Sequence, residues 1–292
     1  MPIADAPTAL HSPPRPMQLS ARQTSIHFPR PAMIMGILNL SVDSFSGDGV
    51  ADIETAIARS EVLIKDGADI IDLGAESART NREPISEQEE IDRLCGFIEL
   101  WNKLPSRPLL SINTWRPKVA AASLALGGEI LNDIGALPDD QNARICAQTG
   151  AALLIMHSIG VPKVPHTHVQ YENVLAAMES FFEEKIAMSL AAGLPYEKLI
   201  LDPGIDFAKQ RDDNLAIYAN LSRLHRFGRP ILLPVSRKTV IGEVLGIANA
   251  ADRDAGTVAC IAEGLLQGAQ IFRVHNVKAA SQTVRTLWRL LN

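Results

Sequence analysis

The sequence predicts an α/β protein, a closed (β/α)8 TIM barrel around a parallel sheet with an N-terminal hairpin. Three observations carry that expectation. Short apolar, β-branched runs recur eight times, at 33–38, 69–73, 109–112, 129–131, 152–156, 199–201, 231–235 and 271–274. Such unbroken runs suit strands covered on both faces, as in a parallel sheet. Helix-period segments separate most of them, so β and α alternate strictly, over a length that suits one barrel of ~250 residues. The rival architecture, an open dinucleotide-binding sheet, needs GxGxxG after its first strand, whereas residues 36–41 read GILNLS.

The elements follow in order. Seven of the 18 prolines fall within the first 31 residues, and 1–16 is expected to be a disordered Pro-rich tail. No basic start followed by an apolar stretch is present there, so no signal peptide is expected. Residues 17–31, MQLSARQTSIHFPRP, alternate around Leu19, Ile26 and Phe28 and predict a short hairpin. The barrel is then expected to occupy the rest of 17–292 as one domain. After the first strand, 51–66 places Ile53, Ala56, Ile57, Val62 and Ile64 on a helical face ended by Gly67. Ser86 with Glu89 reads as a capping box opening a helix through Leu100. Long helices are expected at 171–192 and 254–266, closed by Gly193 and Gly268.

Composition narrows the function classes. With 28 Lys+Arg against 33 Asp+Glu the net charge is −5, which argues against a nucleic-acid footprint. No apolar run approaches 18 residues, so no membrane-spanning helix is expected. Three cysteines, Cys95, Cys146 and Cys260, lack CxxC or Cys/His metal spacing and read as free thiols of a reducing, cytoplasmic compartment.

Every apolar run ends in a group that can hydrogen-bond or carry charge: Asn39; Asp72 with Glu76; Asn113; Asn132 and Asp133; His157; Asp202; Ser236, Arg237 and Lys238; Arg273 with His275. In a barrel those ends converge on one face, where active sites sit. Asp202, acceptor-only when ionised, and Asn132, donor and acceptor, suit a planar heterocycle with amide-like edges. Lys238, Arg237, Arg273 and His275 suit phosphate or pyrophosphate. Asn39 and Asp43 are hard oxygen donors that could help hold Mg²⁺ bridged to phosphate oxygens. The segment 41–49, SVDSFSGDG, is too rich in Ser, Asp and Gly for a simple turn and reads as a mobile loop over that mouth or a flexible surface loop. His157 has a metal or anion reading and a structural one, and Trp115 could touch a ligand or pack. No Ser/His/Asp order or HExxH motif supports a covalent hydrolase or a zinc protease.

The segments IMGILNLSVDSFSGDG (34–49), DIIDLGAESART (69–80), LLSINTWRP (109–117), LNDIGAL (131–137), LLIMHSIGVP (153–162), LILDPGIDFAK (199–209), PVSRKTVIG (234–242) and FRVHNV (272–277) resemble the dihydropteroate synthases, all in order. The hairpin at 17–31 is also similar to that family's segment before its first strand. The resemblance implies a pterin-binding barrel that condenses 6-hydroxymethyl-7,8-dihydropterin pyrophosphate with p-aminobenzoate, giving 7,8-dihydropteroate and pyrophosphate for folate synthesis. It implies that Asn113, Asn132, Asp202 and Lys238 hold the pterin. Asn39, Arg273 and His275 would take the pyrophosphate and its Mg²⁺, with Asn39 the metal ligand. Asp43, Ser44 and Phe45, with Ser77 and Arg79, would close over the reacting centre. Ser77, Phe207, Lys238 and Thr239 would border p-aminobenzoate. Lys238, Arg273, His275, Asn113, Asp43 and Arg79 form the implied catalytic set. A homodimer through the C-terminal helix 278–291 and the apolar face of 255–266 is implied as well; barrel packing is the other use of those faces.

The sequence departs from the family pattern at named places. Asn113 stands where the family has a pterin-site Asp, keeping an acceptor oxygen and losing the charge. Ser41 and Val42 replace Thr-Pro, Gly47-Asp48 inverts Asp-Gly, and Ala78, Thr80 and Asn81 replace Thr, Pro and Gly around Arg79. Pro234 stands where Gly is common. Three readings stay open: a working synthase with unusual loops, a sulfonamide-tolerant one, and a pterin-binding paralogue without this condensation. The pterin-dependent methyltransferase domains share the barrel but give no reason to keep Ser236-Arg237-Lys238 and Arg273-Val274-His275 together.

Overall fold

The computed structural model describes residues 16–40, 52–76, 83–164, 166 and 168–291. The expectations for the tail (1–15), for Asp43, Ser44 and Phe45, and for Ser77 and Arg79 lie outside the described residues.

An antiparallel hairpin, β1 (Met17–Ala21) and β2 (Thr24–Phe28), precedes the barrel. The barrel strands are β3 (Met33–Asn39), β4 (Ile70–Gly74), β5 (Leu109–Asn113), β6 (Ile130–Asp133), β7 (Ala152–Met156), β8 (Leu199–Asp202), β9 (Leu232–Pro234) and β10 (Ile271–Val274). All eight pair in parallel in the order β8-β7-β6-β5-β4-β3-β10-β9. A parallel bridge between Leu201 and Ile231, with the Leu201 N–H donating to the Pro230 carbonyl at 3.0 Å, joins the first strand in that order to the last. The sheet is thereby a barrel without an edge. The run expected at 231–235 gives a shorter strand than the others because Pro234 has no N–H to donate.

Helices fill the outer ring: α1 (Ile53–Lys65), α2 (Glu87–Trp101), α3 (Pro117–Leu126), α4 (Gln141–Thr149), α5 (Val174–Ala191), α6 (Arg211–Ala219), α7 (Thr239–Leu245), α8 (Asp254–Leu266) and α9 (Val277–Leu291). Their starts follow local chemistry. Asp52 accepts from the Thr55 N–H, so α1 begins two residues later than the periodicity alone indicates. Asn173 accepts from Leu175 and Ala176, which sets the start of α5 inside the expected 171–192. Ser86 caps α2 as its sequence predicts, accepting from Glu89.

Strand residues alternate between two cores, as a period of two dictates. Ile34, Ile71, Leu110, Leu131, Leu153, Leu201, Leu233 and Phe272 face the helices. Met33, Met35, Ile70, Ile130, Ala152, Leu154, Ile200, Leu232 and Ile271 fill the barrel, together with Leu19, Ala21, Ile26 and Phe28 of the hairpin. The hairpin therefore caps the N-terminal mouth. Arg22 fastens it by donating to the Gly128 carbonyl at 2.8 Å and to the Leu124 carbonyl, and Arg229 donates to the Gln18 carbonyl at 2.6 Å. Among the described residues no helix is long and apolar enough to cross a membrane.

Candidate active site

Following the inward phase up each strand, apolar side chains give way to polar ones. Ile70 is succeeded by Asp72, Leu109 by Ser111 and Asn113, Ile130 by Asn132, Ile200 by Asp202, and Ile271 by Arg273. All five strands thus deliver polar groups to the C-terminal mouth.

Asp72 organises them. Its carboxylate, fully buried, accepts from Ser111 Oγ at 2.6 Å, from Asn113 Nδ2 at 3.2 Å, from Asn132 Nδ2 at 3.2 Å and from Arg273 Nε at 2.7 Å. Both amides thereby have their nitrogens fixed, leaving their oxygens as acceptors for something else. Asn132 Oδ1 is buried with no partner among the described residues, an acceptor that a ligand donor would satisfy. Gly74 lies between Asn39 and Asn113 across the sheet, and a Cβ there would sit 3.5 Å from each.

Asp202 stands opposite, its Oδ1 accepting the Gly204 N–H at 2.7 Å. Burial pushes its carboxyl up to about 6, a rise that the Gly204 N–H and the charges of Lys238, Lys209 and Arg273 oppose. Behind it, Lys209 donates to the carbonyls of His157, Gly204 and Phe207 at 2.9–3.0 Å. Burial pulls its ammonium below the ordinary range while Asp202 works the other way. Gly204 is obligatory in this turn: its φ is +67°, and a Cβ would lie 2.0 Å from the His157 carbonyl.

The rim carries cations. Lys238 Nζ donates to the Ile205 carbonyl at 2.7 Å and lies 5.0 Å from the Phe207 ring centre. The loop after β9 also brings Ser236 against His275, with Ser236 Oγ 2.7 Å from His275 Nδ1 and accepting the His275 N–H at 3.1 Å. The imidazole is pinned at that edge.

Sequence-level expectations need two corrections. Arg237, grouped with the phosphate-binding cations, forms an ion pair with Asp254 of α8 at 2.8 Å. Its left-handed backbone, φ 56°, lets Ser236 and Lys238 take the mouth while its own side chain turns to α8. Asp133, paired in the sequence with Asn132, has the opposite strand phase and lies under α4, bonded by Asn142 Nδ2 at 2.9 Å and by the Gly135 N–H at 2.8 Å. Burial raises its carboxyl to about 6. Of the two readings of His157, the structure favours the structural one. Its ring packs against Phe181, edge-on at 4.9 Å, and against Tyr171 and Phe182, and burial holds it neutral, down to about 2.

Asn39, Asn113, Asn132, Asp202 and Arg273 lie in the last residues of their strands, and Phe207, Lys238, Thr239 and His275 in the segments that follow strands at this mouth. Sequence reasoning noted Asp72 without giving it a task, although its inward phase beside Asn113 was available as a signal. It gave no role to Lys209 or to a buried charge cluster beside the mouth. There Glu76 pairs with Arg116 at 2.8 Å and Lys163 at 3.0 Å, and Arg116 pairs with Glu90 at 2.6 Å. Those four residues come from four separate segments, and only the fold brings them together. Among the described residues no group of three or more His, Cys, Asp or Glu could hold a metal ion.

The comparisons with known proteins agree with this geometry. Residues 35–275 match the family model described as pterin binding enzyme. The dihydropteroate synthase of Escherichia coli is 35% identical over 279 residues, covering 93% of this chain and 95% of that protein. The dihydropteroate synthase of Neisseria meningitidis serogroup B is 38% identical over 268 residues, covering 88% and 92%. Among solved structures, the Yersinia pestis dihydropteroate synthase with a sulfonamide drug complex superposes with a TM-score of 0.88 at 34% identity, covering 94% of this chain and 99% of that one. The Thermus thermophilus dihydropteroate synthase in complex with 4-aminobenzoate gives 0.83 at 33% identity, covering 94% and 100%. A hairpin-capped eight-stranded barrel, polar groups on its inward columns and full-length relatives lead to one assignment: the chain belongs to the pterin-binding enzyme family, with the dihydropteroate synthases.

Proposed function

We propose that this protein is a dihydropteroate synthase. It joins 6-hydroxymethyl-7,8-dihydropterin pyrophosphate to p-aminobenzoate, releasing pyrophosphate. The observation that carries the reading is the asymmetry of the mouth. Its floor presents acceptors, namely Asn132 Oδ1 without a partner and the carboxylate of Asp202, while its rim presents Lys238, Arg273 and His275. A flat heterocycle with N–H edges fits the first set and a pyrophosphate the second.

The chemistry follows from those positions. The C–O bond to pyrophosphate breaks with its electron pair leaving on oxygen, and Arg273, His275 and Lys238 stabilise that developing charge. The pterin carries the resulting positive charge, which the buried acceptors of the floor favour. The arylamine nitrogen then forms the new C–N bond and gives up one proton to the departing pyrophosphate or solvent. No protein nucleophile is needed. Asn39, a hard oxygen donor at the end of β3, would hold Mg²⁺, whose charge would neutralise phosphate oxygens. The roles implied for Asp43, Ser77 and Arg79 belong to this proposal on sequence alone.

The same reading includes a homodimer, supported by Leu290 and Leu291, 74% and 44% exposed near the end of α9. A cytoplasmic setting is supported by three free cysteines.

Purified protein incubated with the pterin pyrophosphate, p-aminobenzoate and Mg²⁺ is expected to form dihydropteroate. No product, with none gained by Asn113→Asp, overturns the assignment. One observation favours a second reading, a pterin binder without this activity: Asn113 brings no charge to the floor. Calorimetry separates the two, because such a binder still takes up the pterin pyrophosphate without turnover.

A further inference from the structure

Asp254, the first residue of α8, holds the segments that follow β9 and β10. Its Oδ1 accepts from Arg237 Nε at 2.8 Å and its Oδ2 from Asn276 Nδ2 at 2.9 Å. The Arg237 N–H donates to Thr257 Oγ1 at 3.0 Å, and Arg253 donates to the carbonyls of Arg237 and Lys238 at 3.1 Å each. Ser236 and His275, the residues just before Arg237 and Asn276, are therefore brought together by contacts made behind them.

Between those two residues run two interactions. Ser236 Oγ accepts the His275 backbone N–H at 3.1 Å and stands 2.7 Å from His275 Nδ1. A hydroxyl has one hydrogen and two lone pairs, and the backbone N–H occupies one of the pairs. Among the described residues the Ser236 hydrogen has no acceptor other than Nδ1. Were Nδ1 the protonated nitrogen, that hydroxyl would be left buried without an acceptor, at the cost of its desolvation. The hydrogen-bond pattern thus makes Nδ1 the acceptor and leaves the proton of a neutral ring on Nε2.

We infer that Ser236 is a positioning residue that holds His275 in the tautomer protonated at Nε2, so that the imidazole serves the leaving pyrophosphate as an N–H donor. This donor role rests on the synthase reading and adds to it which ring nitrogen acts and what sets it. A neutral ring with its hydrogen on Nε2 donates to a phosphate oxygen without needing a positive charge. The opposite tautomer would offer a lone pair there, which a phosphate oxygen repels.

Nuclear magnetic resonance reads the ring directly. Long-range proton–nitrogen correlation spectra of protein carrying isotope-labelled histidine are recorded at about pH 8.5, above the ordinary imidazole range near about 6.5. His275→Gln identifies which of the seven histidine patterns belongs to His275. The native protein and Ser236→Thr are expected to show Nε2 protonated and Nδ1 bare, and Ser236→Ala the averaged pattern of exchanging tautomers. In Ser236→Ala, kcat/KM for the pterin pyrophosphate should fall roughly tenfold, as loss of one positioned hydrogen bond predicts, and Ser236→Thr should recover it. Calorimetric affinity for 6-hydroxymethylpterin, which has no phosphates, should stay at the native value in both. A proton on Nδ1 in the native protein overturns this inference whether or not the variants fold. So does an equal loss for both ligands in Ser236→Ala, the result of a purely structural tie between the two segments. Either outcome leaves the synthase reading standing, whereas native protein that forms no dihydropteroate overturns that reading and the donor role with it.

Discussion

Arg273 Nε lies 2.7 Å from Asp72 Oδ2, closing an ion pair between residues 201 positions apart in the chain. Through it, β10 and β4 meet across β3, and the same carboxylate orders Ser111, Asn113 and Asn132. One buried charge therefore sets the pose of most of the floor.

Removing that charge should cost more than any single contact. Asp72→Ala leaves a partly buried guanidinium and two fixed amides without their acceptor, and is expected to lower the unfolding free energy by about 3–5 kcal/mol. Denaturant titration measures it. Asp72→Asn should keep more of the fold while weakening pterin binding, because one acceptor oxygen no longer fixes both Asn113 and Asn132 by their amide nitrogens.

Asn113→Asp places a second carboxylate where the amide nitrogen now lies 3.2 Å from Asp72 Oδ2. Two carboxylates that close do not both ionise readily, so the pair should titrate together and add an acid limb to the pH profile of kcat/KM. Above that limb the added negative charge should stabilise the pterin cation and raise kcat/KM by up to about 10²-fold. A profile identical to that of the native protein would show that position 113 does not face the reacting group.

Pterin binding should depend on pH through Asp202. Its carboxyl titrates near 6 because burial disfavours the ionised form. On the proposed reading the ionised form is the one that accepts from the pterin, so affinity is expected to drop about tenfold per pH unit below that value and to level off above it. Using 6-hydroxymethylpterin without phosphates in calorimetry keeps phosphate titration out of the result. Asp202→Asn should flatten the curve.

Asp133 gives a stability counterpart. Its folded-state value, about 6, lies above the ordinary carboxylate value of 3.8, so the protonated form favours the fold. That contribution is fully present below about pH 4 and is lost as pH rises through about 6. Asp133→Asn mimics the protonated state, and a flip of the Asn142 amide supplies its unpartnered oxygen to the new NH₂. Relative to the native protein, the variant should gain on the order of 3 kcal/mol of stability between pH 4 and pH 7. Urea unfolding at the two pH values checks this.

The strands were legible because a run such as Ala152–Met156 is apolar on both faces, which few other local structures tolerate. The polar groups of the mouth were legible as strand endings. Strand phase was harder: the sequence sets Asn132 beside Asp133, and only the alternation observed in the barrel sends one to the mouth and the other under α4. Arg237 was misjudged for a related reason, since its direction depends on a left-handed backbone that composition does not reveal. Lys209, and the meeting of Glu76, Glu90, Arg116 and Lys163, were illegible because their partners are backbone carbonyls or residues far away in the chain.

The hairpin that covers the N-terminal mouth, with the packed barrel interior behind it, leaves the C-terminal mouth as the barrel's doorway. Leu19, Ala21, Ile26 and Phe28 stop the other end with apolar bulk, so among the described residues Asn132 and Asp202 are approached from the C-terminal mouth, the side that carries Lys238 and His275. Traffic through a single doorway imposes an itinerary: the partner seated deepest must arrive first and go last. On the proposed reading, with the heterocycle at Asn132 and Asp202, the heterocycle would precede the arylamine, and an arylamine at the threshold would hold back whatever lies behind it.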